Sequence, residues 1–473
     1  MTTNSEKIIT EIFASNGIYE NGKVVVKNET AFRKDVEKLA EVAALDEGDK
    51  KGFAQYCIRS AARNLGIYPA SIHELYMGKG RGDVPLTFSV PALNLRVLAF
   101  DAARIVFRTA LKMNGAAFIF EIARSEMGYT DQKPAEYASS ILAAAIAEGY
   151  RGPVFIQGDH FQVSLKKFQF APDTEISALK SLIKEALAAG FFNIDIDTST
   201  LVDLGKSSLP EQQALNVNNS AMFTAYIRSQ EPENITISIG GEIGEVGGHN
   251  SNESELRTYL DEYRNGLKDI KPNAKGLSKI SVQTGTSHGG IVLPDGSIEK
   301  VSVDFDTLRN LSRIARKEYG LGGTVQHGAS TLPEDAFGKF VENEACEVHL
   351  ATNFVNMFFD LIPHSLKEEM YKFLDQKYAS DRKPEMTDEQ FYYKTRKNAI
   401  GPFKERSWKL NLEAKAPILK AWEKQFSKLF TLLGVKDTKP FIDQWIPKTI
   451  VEPKLSDYME ETATDRDIKD LAD

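Results

Sequence analysis

Four of the seven histidines in this 473-residue chain lie at or near the ends of short apolar runs. His160 lies in GDHFQ, and His288, His327 and His349 lie in GTSHGG, VQHGAS and VHLAT. Imidazole is the commonest nitrogen ligand of Zn²⁺, and a catalytic zinc ion typically has three protein ligands and one open position. We therefore expect His160, His288 and His327 to bind one metal ion. Taken singly, each is equally explained as a structural histidine that caps a strand.

Acidic side chains accompany these histidines. Asp159 precedes His160, Asp197 ends another apolar run, and Glu242 lies in the glycine-rich GGEIG. Adjacent residues of a regular strand point to opposite faces, but a turn at a strand end can bring Asp159 and His160 to the same place. Asp195 and Asp197 have a structural alternative, which is ion pairing with a lysine or arginine at the rim of the fold.

The elements that must position these residues alternate from residue 86 onward. Short apolar runs, predicted as strands, are separated by amphipathic stretches long enough for crossover helices. The runs are residues 86–92, 116–122, 152–158, 192–197, 234–240, 279–284, 323–327 and 346–352. Eight such units predict parallel pairing and closure into an α/β (β/α)₈ barrel. An open doubly wound sheet is the alternative, but neither GxGxxG nor GxxxxGK[ST] occurs.

In such a barrel the loops after the carboxyl ends of the strands build the active site, and those after the seventh and eighth strands frequently hold a phosphate. The segments HGAS and LAT, which contain Gly328, Ser330 and Thr352, lie at these two ends. Their small and hydroxyl-bearing residues suit an anion-binding nest of backbone N–H groups.

The barrel is predicted to be one of three regions. Residues 1–85 form an N-terminal helical segment, residues 86–375 the barrel, and residues 376–473 a helical C-terminal extension. The clearest helix of the extension is KAPILKAWEKQFSKLFTLLG, residues 415–434, whose apolar face is expected to cover the barrel or a sister subunit.

Composition narrows the class of protein. A net charge of −8 argues against a nucleic-acid partner or an anionic membrane surface. The two cysteines, Cys57 and Cys346, suggest no disulfide framework. The N-terminus has no long apolar segment, and no run reaches about 18 apolar residues. We expect a cytoplasmic protein with no membrane partner.

Four motifs in a fixed order give the chain a family resemblance. GDH, GEIGEVGG, GTSHGG and HGASTLPED resemble those of the class II, metal-dependent fructose- and tagatose-bisphosphate aldolases. The resemblance covers about residues 86–360. The stretch FEIARSEMGYTDQKPAEYA, residues 120–138, is also similar to the sister subunit of tagatose-bisphosphate aldolase.

The resemblance implies roles for individual residues. His160, His288 and His327 match the Zn²⁺ ligands, and Asp159 matches the aspartate that exchanges a proton with the substrate's C4 hydroxyl. Glu242 matches a carboxylate near an alternative metal position, so that a second divalent or monovalent cation is also expected. The positions that match the surroundings of the bound ketose phosphate are Gly289, Gly328, Ser330 and Thr352.

The sequence departs from the family pattern at three places. Asn250 stands where the family has a loop glutamate that shuttles a carbon-bound proton, and Glu253 or Glu255 of the same loop is the expected substitute. Ala329 replaces a glycine, and His349 replaces an asparagine of the substrate pocket. The sugar is therefore not necessarily fructose 1,6-bisphosphate.

The sequence thus predicts a zinc-dependent aldolase of carbohydrate metabolism that acts on a phosphorylated ketose. It would release dihydroxyacetone phosphate and an aldehyde. A metal-dependent ketose epimerase and a non-catalytic partner subunit of a tagatose-bisphosphate aldolase are the alternatives. We expect a homo-oligomer, either a dimer or a tetramer.

Overall fold

The computed structural model describes residues 3–244, 249–285, 293 and 302–459. In this part of the chain the strands are β1 (Gly17–Glu20), β2 (Lys23–Val26), β3 (Ile67–Ala70), β4 (Val90–Asn94), β5 (Ile119–Ala123), β6 (Gly152–Gln162), β7 (Asn193–Asp197), β8 (Ser238–Glu242), β9 (Lys279–Ser281), β10 (Thr324–Gln326) and β11 (Glu347–Leu350).

Helices surround these strands. They are α1 (Thr3–Phe13), α2 (Glu29–Leu45), α3 (Gly48–Asn64), α4 (His73–Arg81), α5 (Ala99–Met113), α6 (Arg124–Thr130), α7 (Pro134–Glu148), α8 (Leu165–Phe170), α9 (Pro172–Ala189), α10 (Leu209–Gln230), α11 (Glu253–Ile270), α12 (Phe305–Lys317), α13 (Ala336–Glu342), α14 (Thr352–Leu361), α15 (His364–Lys377), α16 (Asp388–Thr395), α17 (Lys404–Trp408), α18 (Leu412–Leu432), α19 (Lys439–Trp445) and α20 (Ser456–Met459). Short 3₁₀ turns lie at Ser199–Leu201, Ala329–Thr331, Ala379–Asp381 and Arg396–Ala399.

Eight parallel strands close into a barrel. Each strand from β4 to β11 pairs with the next along the chain, and β11 pairs with β4 to complete the ring. Every predicted strand overlaps one of these eight, although three of the predictions begin three or four residues too early. The (β/α)₈ barrel is therefore confirmed. Its carboxyl ends all face one mouth, which is where the loops that bear the predicted site residues begin.

The N-terminal region contains three short strands besides its helices. β1 and β2 form an antiparallel hairpin whose turn is Asn21–Gly22, both at positive φ. An Asn-Gly pair is the preferred sequence of such a turn. β3 pairs in parallel with the first part of β6, from Ile67 opposite Gly152 to Ala70 opposite Phe155. The prediction that this region is helical missed all three strands.

β3 lies beside β7 on the same flank of β6. β6 pairs with β3 through its first four residues and with β7 from Gln157 onward. Asn193, at the start of β7, joins the two strands: its side-chain amide donates to the carbonyl of Ala70 and accepts from the backbone N–H of Ile72. The barrel thus has a ninth strand inserted at the amino end of one seam.

The C-terminal extension packs against the barrel helices. Helix α18 contacts α5 and α14 through an apolar face that includes Ile418, Trp422 and Phe426. The Trp422 ring is buried, and its N–H donates to the carbonyl of Phe354 at 3.3 Å. The expectation that this face covers the barrel is confirmed. The division of the chain at residues 85 and 375 stays a prediction.

No helix among the described residues combines the length and the apolar character that crossing a membrane requires.

Candidate active site

A bulge at the end of β6 brings Asp159 and His160 to the barrel mouth. The pairing of β6 with β7 shifts between Gly158 and Phe161, and His160 has a φ of +39°. A β-bulge of this kind re-aims side chains, so two consecutive residues can line the same cavity. Gly158 is required here, because a Cβ at this position would lie 2.4 Å from the Phe161 ring.

The His160 ring is oriented by the carboxylate that ends β7. Its Nδ1 lies 2.9 Å from Asp197 Oδ2, and the same carboxylate accepts hydrogen bonds from Gln162 and Ser199. Burial opposes the charged ring, but the carboxylates of Asp159 and Asp197 raise the pKa of His160 to about 10. A carboxylate on one ring nitrogen is the usual support of a metal-binding histidine.

Three histidine rings lie side by side across the mouth. The ring centroids of His160 and His327 are 4.4 Å apart, and those of His327 and His349 are 4.1 Å apart. His327 follows β10, and its Nε2 lies 3.0 Å from Ser281 Oγ and 3.6 Å from Glu242 Oε2. Two histidines of the predicted metal site are therefore neighbours, and His349 is the third ring among the described residues.

Four carboxylates surround His349. Its Nδ1 lies 3.0 Å from Glu121 Oε2 and 3.3 Å from Asp159 Oδ1. Its Nε2 lies 2.7 Å from Glu347 Oε1 and 3.7 Å from Asp195 Oδ2. Although burial opposes its charge, these carboxylates hold the pKa of His349 well above its usual value. The site is thus a buried cluster of imidazole and carboxylate groups.

The cluster can hold a metal ion. One donor atom each from Asp159, His327 and His349 lies within 4.8 Å of the other two, and Glu121, Glu347 and His349 form a second such group. Asp159 Oδ1 and His349 Nδ1 are buried without a hydrogen bond of good geometry. Buried polar atoms in this state are typical of a site that a cation completes. Mixed imidazole and carboxylate donors suit a divalent metal such as zinc.

A cavity of about 750 Å³ opens above the cluster. Gly328, Ser330 and Thr352 line it at the ends of β10 and β11. Gly328 has a φ of +68°, a conformation that favours glycine, and Ser330 Oγ accepts the backbone N–H of Ala351. Helix α14 begins at Thr352. These three predicted phosphate-site residues therefore share one wall of the cavity with the helix N-terminus.

Glu242 is placed as the sequence predicts, at the end of β8 beside His327. Burial raises its pKa to about 8, and the nearby Asp197 carboxylate adds to this effect. A carboxyl group that is held neutral near pH 7 becomes a good ligand once a cation is present, because the cation favours its charged form.

The predicted loop base is placed differently. Glu253 is the first residue of α11, its side chain is 57% exposed, and it pairs with Arg257 at 2.9 Å instead of lining the cavity. Glu255 accepts the backbone N–H of Asn252 at the helix start. Two further predicted residues, His288 and Gly289, lie outside the described residues.

A layer of charges lies beneath the histidines, and of this layer the sequence predicted only the ion pairing of Asp195, whose partner is Lys279. Lys279 Nζ donates to Gln157 Oε1 at 2.8 Å and to Asp195 Oδ2 at 2.9 Å, and it also contacts Glu347. Glu121 completes the layer by accepting from Gln157 at 3.0 Å. The available signal was a single charged residue in an otherwise apolar strand, as in FIFEI, because such a residue needs a buried partner.

Known proteins resemble this chain in sequence pattern and in fold. The family model for class-II fructose-bisphosphate aldolase matches residues 86–407. Among solved structures, a "probable tagatose 6 phosphate kinase" from Sinorhizobium meliloti 1021 is 12% identical with a TM-score of 0.50, and the match covers 74% of this chain and 100% of that one. No curated protein sequence matches.

Two further solved structures are similar at lower TM-scores. The YdjI aldolase from Escherichia coli K12 is 12% identical with a TM-score of 0.45, over 78% of this chain and 98% of that one. The fructose-bisphosphate aldolase from Campylobacter jejuni is 17% identical with a TM-score of 0.45, over 79% and 96%. At these identities a structural likeness speaks for the fold alone. The family model spans well over half of the sequence and supports an aldolase-type lyase function. The chain therefore belongs to the class-II fructose-bisphosphate aldolase family.

Proposed function

We propose that this chain is a zinc-dependent aldolase that cleaves a phosphorylated ketose into dihydroxyacetone phosphate and an aldehyde, or joins the two in reverse. The observation that carries the proposal is the convergence of Asp159, His160, His327 and His349 at one barrel mouth, below a cavity large enough for a sugar phosphate.

His160, His288 and His327 are the proposed zinc ligands, and Glu242 lies beside His327 as a ligand for an alternative metal position. The donor distances of His349 and Asp159 suit them for a second cation. A bound Zn²⁺ would act as a Lewis acid toward the negative charge that develops on the substrate oxygens.

The chain's own residues would bind the substrate and move its protons. The Asp159 carboxylate lies 3.8 Å from His160 Nε2 and 3.3 Å from His349 Nδ1, at the mouth of the barrel. Its carboxylate can therefore accept the proton of the C4 hydroxyl as the C–C bond breaks. Gly328, Ser330 and Thr352 would bind the phosphate next to the reacting carbons.

The proton on carbon needs a second group, and Glu253 remains our proposal for it. It is the first residue of α11 and follows the loop after β8, and loops at this end of a barrel can close over bound substrate. Glu253→Ala and Glu255→Ala test this assignment separately. We expect Glu253→Ala to lower kcat while Glu255→Ala mainly weakens the helix cap, at a cost of about 1 kcal/mol in stability.

Metal analysis and turnover of Asp159→Asn test the central proposal. Purified protein should contain about one equivalent of zinc, which His327→Ala should lose. Asp159→Asn should retain zinc but lower cleavage of a panel of ketose phosphates about 10²- to 10⁴-fold. Asp203→Asn, an exposed carboxylate change, is the matched control.

Three results would contradict the proposal. One is an unchanged cleavage rate in Asp159→Asn. Another is full activity in metal-free protein. The third is the formation of an isomeric ketose phosphate without any dihydroxyacetone phosphate, since that product pattern belongs to an epimerase.

A further inference from the structure

A second cavity lies at the opposite end of the barrel from the mouth. It has a volume of about 500 Å³ and is bounded by α4, α11 and the segments 271–277 and 319–321, which lead into β9 and β10. These segments enter the strands at their amino ends, whereas the loops that build a barrel active site leave the carboxyl ends. This basal cavity is therefore separate from the histidine cluster, and its size suits a small organic ligand.

Basic side chains predominate in the basal cavity. Among the described residues that line it, Glu74 is the one acidic residue, and its carboxylate lies 3.6 Å from the ammonium of Lys275. The basic residues are Arg81, Arg264, Lys268, Lys271 and Lys275. In a chain whose net charge is −8, this local excess of positive charge attracts anions.

Two of the lysines are not neutralised by the protein. No carboxylate of the described part of the chain lies within ion-pairing distance of Lys268 or Lys271. Both residues line the same cavity, so their ammonium groups repel each other unless an anion lies between them. Lysine ammonium groups bind phosphate as point charges. The pair therefore favours a phosphorylated ligand.

A buried histidine of the same cavity has a polar atom without a partner. His73 begins α4, is 3% exposed and lines the cavity, and its Nδ1 makes no hydrogen bond. Buried polar atoms are nearly always hydrogen-bonded. Burial and nearby cations lower the pKa of His73 to about 3, so the ring is neutral and can donate or accept one hydrogen bond at Nδ1. A polar ligand atom at this wall would supply the missing partner.

The protein holds the polar wall of the basal cavity in place. Arg228 is buried and donates to the carbonyl oxygens of Lys275 at 2.6 Å and Gly276 at 2.9 Å. Arg264 donates to the carbonyl of Tyr319, and its guanidinium carbon lies over the Tyr319 ring, 4.6 Å from the centroid. The guanidinium plane therefore has a defined place, and such a plane stacks on flat rings.

Apolar side chains form much of the remaining wall. They include Met77, Leu260, Leu267, Leu277 and Leu321. An inorganic anion would satisfy the lysines but leave this apolar surface in contact with water. A ligand that covers the surface must carry a flat, largely apolar group besides its charges. A nucleotide combines both features, and its triphosphate form carries enough negative charge for three lysines.

We propose that the basal cavity binds a nucleoside triphosphate. The polyphosphate lies on Lys268, Lys271 and Lys275, and the base lies against Arg264 and the apolar wall. His73 Nδ1 makes a hydrogen bond to the ligand from the buried side. This inference does not rest on the proposed aldolase function, because no residue of the basal cavity belongs to the histidine cluster.

Isothermal titration calorimetry on the full chain tests the site. The probes are ATP, adenosine and inorganic tripolyphosphate, and tripolyphosphate should bind at least about tenfold more weakly than ATP because it leaves the apolar wall uncovered. Lys268→Gln and Lys271→Gln should each weaken ATP binding about three- to tenfold, since each removes one charge-assisted contact. His73→Phe keeps a flat ring but loses the hydrogen bond, and it should weaken ATP binding about two- to fivefold.

Lys317→Gln is the matched control, because Lys317 is an exposed lysine at the end of α12 that does not line the cavity. It should bind ATP within about twofold of the unchanged protein. An excess of D-fructose 1,6-bisphosphate should leave ATP bound, since a sugar phosphate is proposed to bind at the other end of the barrel.

Four results would overturn the site. The first is that ATP does not bind, and the second is that tripolyphosphate binds as tightly as ATP, which would report a general attraction for polyanions. The third is full ATP affinity in any of the three cavity variants, or an equal loss in Lys317→Gln. The fourth is displacement of ATP by the sugar bisphosphate, which would place the nucleotide at the barrel mouth.

Discussion

Replacing Lys279 by methionine removes the cation at the centre of the barrel. Its side chain is fully buried, and its Nζ contacts Gln157, Asp195 and Glu347. Methionine has a similar length but leaves the buried carboxylates of Asp195 and Glu347 with His349 as their remaining cationic neighbour. Removing one partner of a buried ion pair costs about 3–5 kcal/mol. We expect Lys279→Met to lower the free energy of unfolding by that amount near pH 8.

The deficit should depend on pH in a defined direction. Burial already raises the pKa of Asp195 to about 6, even with Lys279 beside it. Without the ammonium this pKa rises further, so the folded variant binds a proton that the unfolded chain releases above its ordinary pKa near 4. The free energy of unfolding of the variant therefore falls by about 1.4 kcal/mol per pH unit between pH 4 and the raised pKa of Asp195. The unchanged protein shares this fall only up to about pH 6, so the deficit of the variant is smaller at pH 5 than at pH 8.

Urea unfolding followed by circular dichroism at pH 5 and pH 8 measures both quantities. Lys424→Met controls for the loss of an exposed lysine, and Lys279→Met combined with Asp195→Asn should recover part of the stability at pH 8. The reasoning is refuted if Lys279→Met costs less than about 1 kcal/mol at pH 8, or if its deficit is the same at both pH values.

Three other predictions concern different parts of the fold. Gly158→Ala should cost about 1–3 kcal/mol in unfolding experiments and lower turnover, because the added methyl meets the Phe161 ring at 2.4 Å; wild-type stability and rate would contradict this. Burial and nearby cations lower the pKa of His73 to about 3. Below pH 6.5 the unfolded state therefore binds a proton at this histidine that the folded state does not bind, and the folded state loses stability as the pH falls. His73→Phe should therefore remove about 2 kcal/mol of the stability loss between pH 6.5 and pH 5, and an unchanged pH profile in urea titrations would exclude the effect. Burial raises the pKa of the Cys57 and Cys346 thiols, so Ellman's reagent should label them only after denaturation, and rapid labelling of native protein would show that they are accessible.

The barrel was predictable because its signal is local and repeated. Apolar runs that alternate with amphipathic helices are compatible with few folds other than a parallel barrel. This alternation predicts all eight barrel strands. The hairpin β1–β2 carried a usable signal as well, in the Asn21–Gly22 pair before a β-branched run, and the helical interpretation overlooked it. β3 carried almost none, since its four residues include Pro69 and its stability comes from pairing with residues more than eighty positions away.

The candidate site was predictable only in part, for the same reason. The spacing of the histidines at predicted strand ends indicates a shared site. The turn expected after β6 also predicts that Asp159 and His160 lie together. Glu347 lies two residues before His349 on β11, so strand alternation already places both on one face. Glu121 belongs to β5 and meets His349 only through the register of the closed barrel. The position of residues 383–397 beside the cavity is more remote still, since it depends on contacts between the extension and α6 that no local pattern encodes.

The ninth strand also bears on how this molecule reaches its native state. A fragment that starts at residue 86, where the family match begins, would contain all eight barrel strands. It would lack β3, so that backbone N–H and C=O groups at the amino end of β6 would be unpaired. Such bare edges recruit strands from other molecules. Expression of that fragment should therefore give aggregates, because β3 no longer pairs with the amino end of β6.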